Sequence, residues 1–324
     1  MASCPAAAPV ISVVIPTRNR AGSLGRTLQA LVRQTLPGER FEVIVVSDGG
    51  GDETEAAVVR LAPLLPNLRF LAQPPRGPAA ARNRGLGAAR GEIVAFTDDD
   101  CRPEREWLRN LLDCFAANPE ALGVEGRTTT EEEKLTPLTH QVVNLHGGYS
   151  RPTCNIAYRR EALVEVGGFD EAYVFNGEDE DLALAVGERG AIVFCERARV
   201  VHPPRRLGLG EHLRRMVRLE LQAMLSQFRL ARKHPRSYRR LRRGGPWWSI
   251  FYVTARLRLY QLWRERGWLR RAPLLWLAAL LLLGVRISYR LCLAPLVCAK
   301  LRSGRRDRGS RPLPAGGARA APSR

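Results

Sequence analysis

Acid is scarce in the rear of this chain. Residues 205–324 hold four Asp and Glu against 29 Lys and Arg, whereas residues 1–204 hold 28 acids against 22 bases, so the two parts stand near +25 and −6. A segment this one-sided has few internal counter-ions and is expected to face something anionic, such as phospholipid or nucleic acid. No recognisable nucleic-acid reading module accompanies the arginines, and abundant Arg alone does not make one, so nucleic acid is not an expected partner. The seven cysteines, at 4, 101, 114, 154, 195, 292 and 298, form no CxxC pair and no Cys/His spacing typical of zinc, which argues against a zinc module and fits a reducing compartment. The start, MASCPAAAPV, lacks the basic region and apolar core of a secretory signal, so the front part is expected in the cytosol. There is no internal repeat.

What is present is alternation. Val10 to Ile15 is a β-branched apolar run ending in Pro16, Gly22 to Leu36 carries Leu24, Leu28, Leu31 and Val32 at helical spacing, and Phe41 to Val46 returns to strand character. The order repeats, with 52–65 helical, 68–71 extended, 78–90 helical and 92–96 extended. This predicts an α/β domain with a mainly parallel sheet flanked by helices. Such sheets bind ligands where the loops leave the carboxyl ends of their strands. Thr17, Arg18 and Asn19, then Ser47 and Asp48, then Asp98, Asp99 and Asp100 all lie at those ends.

The stretch AFTDDDC places three carboxylates side by side, which needs solvent, a cationic partner or a metal to offset the repulsion. A DxD arrangement after a buried strand suits a divalent cation held by one or two carboxylates, with phosphate oxygens and water completing its shell. The alternative is a solvated acidic turn capping the helix that starts near Glu104.

Five segments, VISVVIPTRNR (10–20), VIVVSDGGGDET (43–54), RGPAAARNRGLGAARGEIVAFTDDD (76–100), CNIAYRREALVEVGGFDE (154–171) and NGEDEDLALAVGERG (176–190), resemble in order and spacing the family 2 glycosyltransferases of GT-A fold. The resemblance ends near residue 205. It implies a GT-A, Rossmann-like domain and transfer of a sugar from a nucleotide diphosphate sugar, with inversion and a divalent metal, Mg2+ or Mn2+, on the diphosphate. Carried over by position, Pro16, Thr17, Arg18 and Asp48 would line the nucleobase and ribose pocket, with Arg82 and Asn83 along the nucleotide side of the cleft. Asp98 would face the ribose or metal, Asp99 would lie on the nucleotide-sugar side, and Asp100 would ligate the metal, with His202 near it. Glu178 and Asp179 match the motif that supplies the catalytic base, Asp179 being the chosen base. The alternatives are a helix-dipole role for the acidic turn, a solvated loop for ARNRG and a structural role for His202. Ser47 stands where many relatives carry an acid and Gly50 where they carry Ser, which leaves the nucleobase open. The Q-x-x-R-W motif of processive synthases is absent, so one sugar per encounter is expected.

Behind residue 205 the arginine-rich stretch 211–243 is expected to be amphipathic helix, and 302–324 a disordered tail. The chain is therefore divided into a glycosyltransferase domain at 8–205, a basic helical, membrane-associated region at 206–301 and the tail at 302–324. Ala272 to Val285 is an uncharged run of roughly 21 Å as a helix, short of a roughly 30 Å hydrocarbon core. Positive charge on both flanks, with Arg286 and Arg290 between this run and Leu291 to Ala299, favours a helical hairpin or interfacial helices on the cytoplasmic face of the cell membrane. Trp247, Trp248, Trp263, Trp268 and Trp276 would suit the headgroup region. Anionic lipid and a lipid-linked or cell-surface glycan precursor as acceptor are the expected partners. A noncatalytic scaffold that keeps the fold and docks on a membrane is the competing reading.

Overall fold

The computed structural model describes residues 8–303 apart from 52, 137, 149–150, 174–175, 207, 242–245, 249–258, 260–261 and 264–265. Strands β1 (Ile11–Thr17), β2 (Phe41–Asp48), β3 (Leu68–Gln73) and β4 (Ile93–Phe96) alternate with helices α1 (Ala21–Val32), α2 (Thr54–Leu61) and α3 (Pro78–Ala88). The four strands pair in parallel in the order β3-β2-β1-β4. The chain adds β2 and β3 on one side of β1 and then crosses to place β4 on the other. Loops leaving β1 and β4 therefore diverge, and the crevice between them is the expected ligand site of an open α/β sheet.

The far half of the sheet is mixed rather than parallel. After β5 (Arg102–Pro103) and α4 (Trp107–Ala117), β6 (Ala121–Thr129) pairs antiparallel with β8 (Ile156–Arg159), which also runs antiparallel to β4. The segment joining β6 to β8 contains the short strand β7 (Thr139–His140) but no α-helix among the described residues, so the crossover that a parallel pair needs is lacking. Helices α5 (Arg160–Glu165) and α6 (Glu178–Gly187) follow, then β9 (Ala191–Val201), parallel to β6, and β10 (Arg205–Arg206), which pairs with β7.

Alternate residues of the strands feed two cores. Ile11, Val13, Ile15, Val43 and Val45 pack with Leu24, Leu28 and Leu31 of α1 and Trp107, Leu108 and Leu111 of α4. Val14, Ile44, Val46, Val94 and Phe96 pack on the other face with α3, α5 and α6. Helix α3 sits close because it presents Ala79, Ala80, Ala81 and Gly85; a Cβ at Gly85 would lie 2.4 Å from Val14 Cγ1. That approach carries Arg82 in beneath the crevice.

The basic part is helical, with α7 (Leu209–Lys233) and α8 (Pro235–Leu241), and ends in an apolar helix at Pro273–Ser303. The expected break at Arg286 and Arg290 is not there: the helix continues for 31 residues, which corrects the hairpin between 272–285 and 291–299. The reason is Glu220 of α7, 1% exposed, which accepts from Arg286 Nε at 3.0 Å and from Arg290. With both charges paired on one face, the backbone has no need to turn them toward water. Ala279, Leu283, Leu293 and Val297 share that inner face, whereas Leu274, Leu277, Leu281, Val285 and Leu296 are exposed on the other. Its Trp276–Ala299 portion is long and apolar enough to cross a membrane by length and composition. Two of the tryptophans expected in the headgroup region turn inward instead. Trp247 packs edge-on against Phe228 at 4.8 Å, and Trp276 Nε1 donates to the Leu262 carbonyl. The side chains of Trp248 and Trp268, and the tail from 304 onward, lie outside the described residues.

Candidate active site

The three carboxylates do not share one environment. Asp98 is bound by Arg82 (Nη2 to Oδ1, 2.9 Å), whereas Asp99 and Asp100 are bridged by Arg20, whose Nη1 donates to Asp99 Oδ1 at 2.8 Å and to Asp100 Oδ2 at 2.7 Å. Thr17, at the end of β1, donates its hydroxyl to Asp99 Oδ2 at 2.7 Å. The repulsion within the cluster is thus offset by two arginines and a hydroxyl from β1. Asp99 is buried, and that burial pushes its pKa up to about 6 against the pull of Arg20. Burial also works against the Arg20 charge, but Asp99 and Asp100 outweigh it and hold the guanidinium protonated.

The second acidic cluster joins the first through Arg82. Its Nη1 donates to Glu178 Oε1 at 3.1 Å while Nη2 holds Asp98, so one buried guanidinium spans two acids eighty residues apart in the chain. Two buried atoms at this junction, Arg82 Nε and Glu178 Oε2, have no hydrogen-bond partner. Asp179 follows on the first turn of α6, entered through Asn176 and Gly177 in left-handed conformations (φ 65° and 107°). Burial first, then the neighbouring Glu178 and Glu180, push the Asp179 carboxyl well above the ordinary carboxylate range, with Arg82 pulling the other way. A carboxylate of raised basicity is equipped to take a proton from an alcohol.

His202, just past β9, is buried with Nδ1 at 3.2 Å from the Pro203 carbonyl and Nε2 at 3.6 Å from Asp100 Oδ1. A carbonyl only accepts, so Nδ1 carries a proton, and Nε2 is the nitrogen turned toward Asp100. Asp98, Asp100, Cys101 and His202 each offer one atom within 4.8 Å of the others. Burial, then the neighbouring Cys154, push the Cys101 thiol up, and its sulfur is a poorer match for a hard cation than oxygen or nitrogen. The two carboxylates and one imidazole form a donor set that fits a hard divalent cation.

Pro16 and Thr17 close β1 at the cleft, and Arg18 beyond them is exposed. Asp48, at the end of β2, has both oxygens engaged: Oδ1 accepts from Gln73 and the Arg76 amide, and Oδ2 from the Gly77 amide, each at 2.8 Å. Its visible work is to hold the turn that starts α3. Asn83 is likewise committed, exchanging hydrogen bonds with the Phe169 main chain at 2.8 Å in both directions, which fixes the segment leading toward α6. Arg20 belongs to the site although no role was assigned to it from sequence. The signal was the unpaid repulsion of three adjacent acids, which asked for a cation without saying which.

Residues 12–169 match the model of glycosyl transferase family 2. That stretch, just under half of the chain, is a family 2 glycosyltransferase domain. The transferase is 27% identical over 209 residues to the glycosyltransferase AglE of Haloferax volcanii, covering 62% of this chain and 69% of that protein. It is 34% identical over 221 residues to the pre-mycofactocin glycosyltransferase of Mycobacterium tuberculosis, covering 63% of this chain but only 45% of the relative. Among solved structures it resembles the mannosyltransferase PcManGT of Pyrobaculum calidifontis, in complex with GDP-Man and Mn2+, with a TM-score of 0.56 at 24% identity, covering 90% of this chain and 83% of the other. That likeness establishes the GT-A fold.

Replacing Asp179 by Asn is expected to reduce turnover by about 10²- to 10⁴-fold, the usual contribution of a general base. Its folded pKa is raised, so the folded state holds that proton more tightly than the unfolded chain, and stability falls as pH rises from the unfolded value toward the folded one. Asp179→Asn should therefore melt no lower than wild type at neutral pH. In wild type the acid limb of kcat/KM should lie above the ordinary carboxylate value of about 4. A rate that stays flat through the raised range, or a variant with full turnover, would remove Asp179 from the role of base.

Proposed function

We propose that this glycosyltransferase moves one sugar per encounter from a nucleoside diphosphate sugar to an acceptor hydroxyl, by a single displacement with inversion. The observation that supports the reading is the Arg82 fork, which ties the DDD turn after β4 to the first turn of α6. Pro16, Thr17, Arg18 and Asp48 would border the nucleoside, with Asp98 and Asp99 toward the ribose and sugar. Asp98, Asp100 and His202 would hold Mg2+ or Mn2+, which supplies charge neutralisation to a departing diphosphate. Asp179 would accept the proton of the incoming alcohol as its oxygen attacks the anomeric carbon. Glu178, fixed by Arg82, would keep the first turn of α6 oriented and add the negative field that raises the basicity of Asp179.

The rear region would hold the enzyme against an anionic membrane surface on its cytoplasmic side. The exposed stripe of Leu274, Leu277, Leu281, Val285 and Leu296 supplies apolar area, and the arginines around it supply charge attraction of about 1 kcal/mol each near anionic lipid. A lipid-linked acceptor fits that placement.

Calorimetric titration with UDP, GDP, UDP-glucose and GDP-mannose, with and without Mn2+, tests the donor reading. Binding of at least one, strengthened by Mn2+ in wild type and not in Asp100→Ala, is the expected result. Silence toward all of them under both conditions would favour the noncatalytic scaffold. For the membrane, flotation of the full chain with vesicles containing phosphatidylserine, weakened by salt and absent with neutral vesicles at high salt, is expected; a chain that never floats would refute lipid docking.

A further inference from the structure

A second polar cluster joins α6 to the basic region, on the side of α6 opposite Asp179. Asp181 follows Asp179 by two residues, which on a helix turns its side chain about 200° around the axis. It is 2% exposed, and its carboxylate accepts from Tyr173 Oη at 3.1 Å, Lys233 Nζ at 2.7 Å and His234 Nε2 at 3.1 Å. The other His234 nitrogen, Nδ1, stands 3.2 Å from Glu188 Oε2, at the far end of the same helix. Lys233 also reaches Asp170 at 3.1 Å, and Ser237 of α8 donates to Glu188 Oε1 at 2.7 Å. The end of α7 and the start of α8 thus grip α6 from both ends. A third contact lies at the helix entry, where a Cβ on Gly177 would come within 3.2 Å of Ser226 Cβ of α7.

We propose that α7 and α8 are a positioning device for the catalytic base, with Lys233 and His234 fixing α6 through Asp181 and Glu188 and thereby setting where Asp179 stands in the cleft. The inference rests on the transferase reading given above. Removing one partner from a buried ion pair leaves the other charge uncompensated, so Asp181 keeps its place only while the α7 end is seated. Helix α7 also packs Met224 against Leu293 and Val297 of the apolar helix, so the same element touches the base-bearing helix and the proposed membrane-facing one. The basic region is on this account a structural part of the active site as well as a membrane tether.

Both ring nitrogens of His234 face carboxylate oxygens, which only accept, so the imidazole is held as a double donor. Burial opposes that charge, but Asp181 and Glu188 outweigh it and raise the His234 pKa. The remaining groups around the cluster are Lys233 on the same helix, Asp170 and Tyr173 from the segment before α6, and Arg229, whose guanidinium lies over the Tyr173 ring at 5.2 Å. A raised His pKa stabilises the folded arrangement fully below the ordinary His value, and the contribution is lost as pH rises through the raised value.

Hydrogen exchange on the full chain in detergent decides the matter. In His234→Gln and Asp181→Asn the amides of α6 are expected to exchange about tenfold faster than in wild type or more, while those of β1 and β4 stay protected. In wild type, after correction for the intrinsic pH dependence, α6 should loosen as pH rises above the ordinary His value of about 6.5, and His234→Gln should show no such step. With UDP-glucose or GDP-mannose, whichever wild type hydrolyses, kcat should fall about tenfold with donor KM within about twofold, since the nucleotide side is untouched. Unchanged α6 exchange in both variants would overturn the proposal, as would a fall in donor affinity without a fall in kcat. If neither sugar nucleotide is bound or hydrolysed the transferase reading fails, while exchange in α6 still judges the grip itself. Should Asp181→Asn not fold, His234→Gln carries the test alone.

Discussion

A single guanidinium, that of Arg82, is the constraint on which the rest of the site depends. It is buried, it forks between Asp98 and Glu178, and both of its partners belong to acidic clusters that would otherwise repel each other across the cleft. Burial alone would favour a neutral group there, but Asp98, Glu178 and Asp179 together keep Arg82 charged. The fold is arranged to allow this. Small residues bring α3 close to β1, the topological reversal opens the crevice beside β4, and two left-handed residues turn the chain into α6 with its acids facing inward.

The same economy explains how five acids tolerate one another at a cleft. Arg20 and Thr17 secure Asp99 and part of Asp100, Arg82 secures Asp98 and Glu178, and Asp179 is left with less compensation than any of them. That asymmetry is chemically useful: the carboxylates held by arginine are fixed in place beside the candidate cation site, whereas Asp179, the least compensated, has its proton affinity raised toward the working range of a base. Strain of this kind lowers stability locally and is a common feature of active sites.

Much of this was legible in the sequence, and the parts that were not share a cause. Val10 to Ile15, 41–46 and 92–96 appear as strands because a buried β-branched run has few other uses, the half-buried 68–71 because it follows a helix in the repeating order, and the acids at the ends of β2 and β4 fall at the ligand edge because parallel topology places them there. The resemblance implied that the DDD turn and the Glu178–Asp179 motif serve one site, but the Arg82 fork that joins Asp98 to Glu178 has no local signal, since only tertiary structure brings residues eighty apart together. Asn83 and Asp48 sit at the cleft's border, yet their polar atoms are spent on the Phe169 main chain and the turn before α3, which no spacing rule reveals. The hairpin expected at Arg286 and Arg290 failed because charge was weighed without its partner: Glu220, about seventy residues earlier, could be matched to them only in three dimensions. His234 and Asp181 were invisible for the same reason.

The most direct test of the central claim is the turnover of Arg82→Lys, measured with the sugar nucleotide that wild type uses. Lysine keeps the positive charge but offers one compact ammonium in place of a planar fork, so it cannot hold Asp98 and Glu178 at once. The account predicts a loss of about 100-fold or more in kcat with the chain still folded. Turnover within about twofold of wild type would mean that the two acidic clusters do not depend on that shared guanidinium, and the cleft described here would have to be drawn differently.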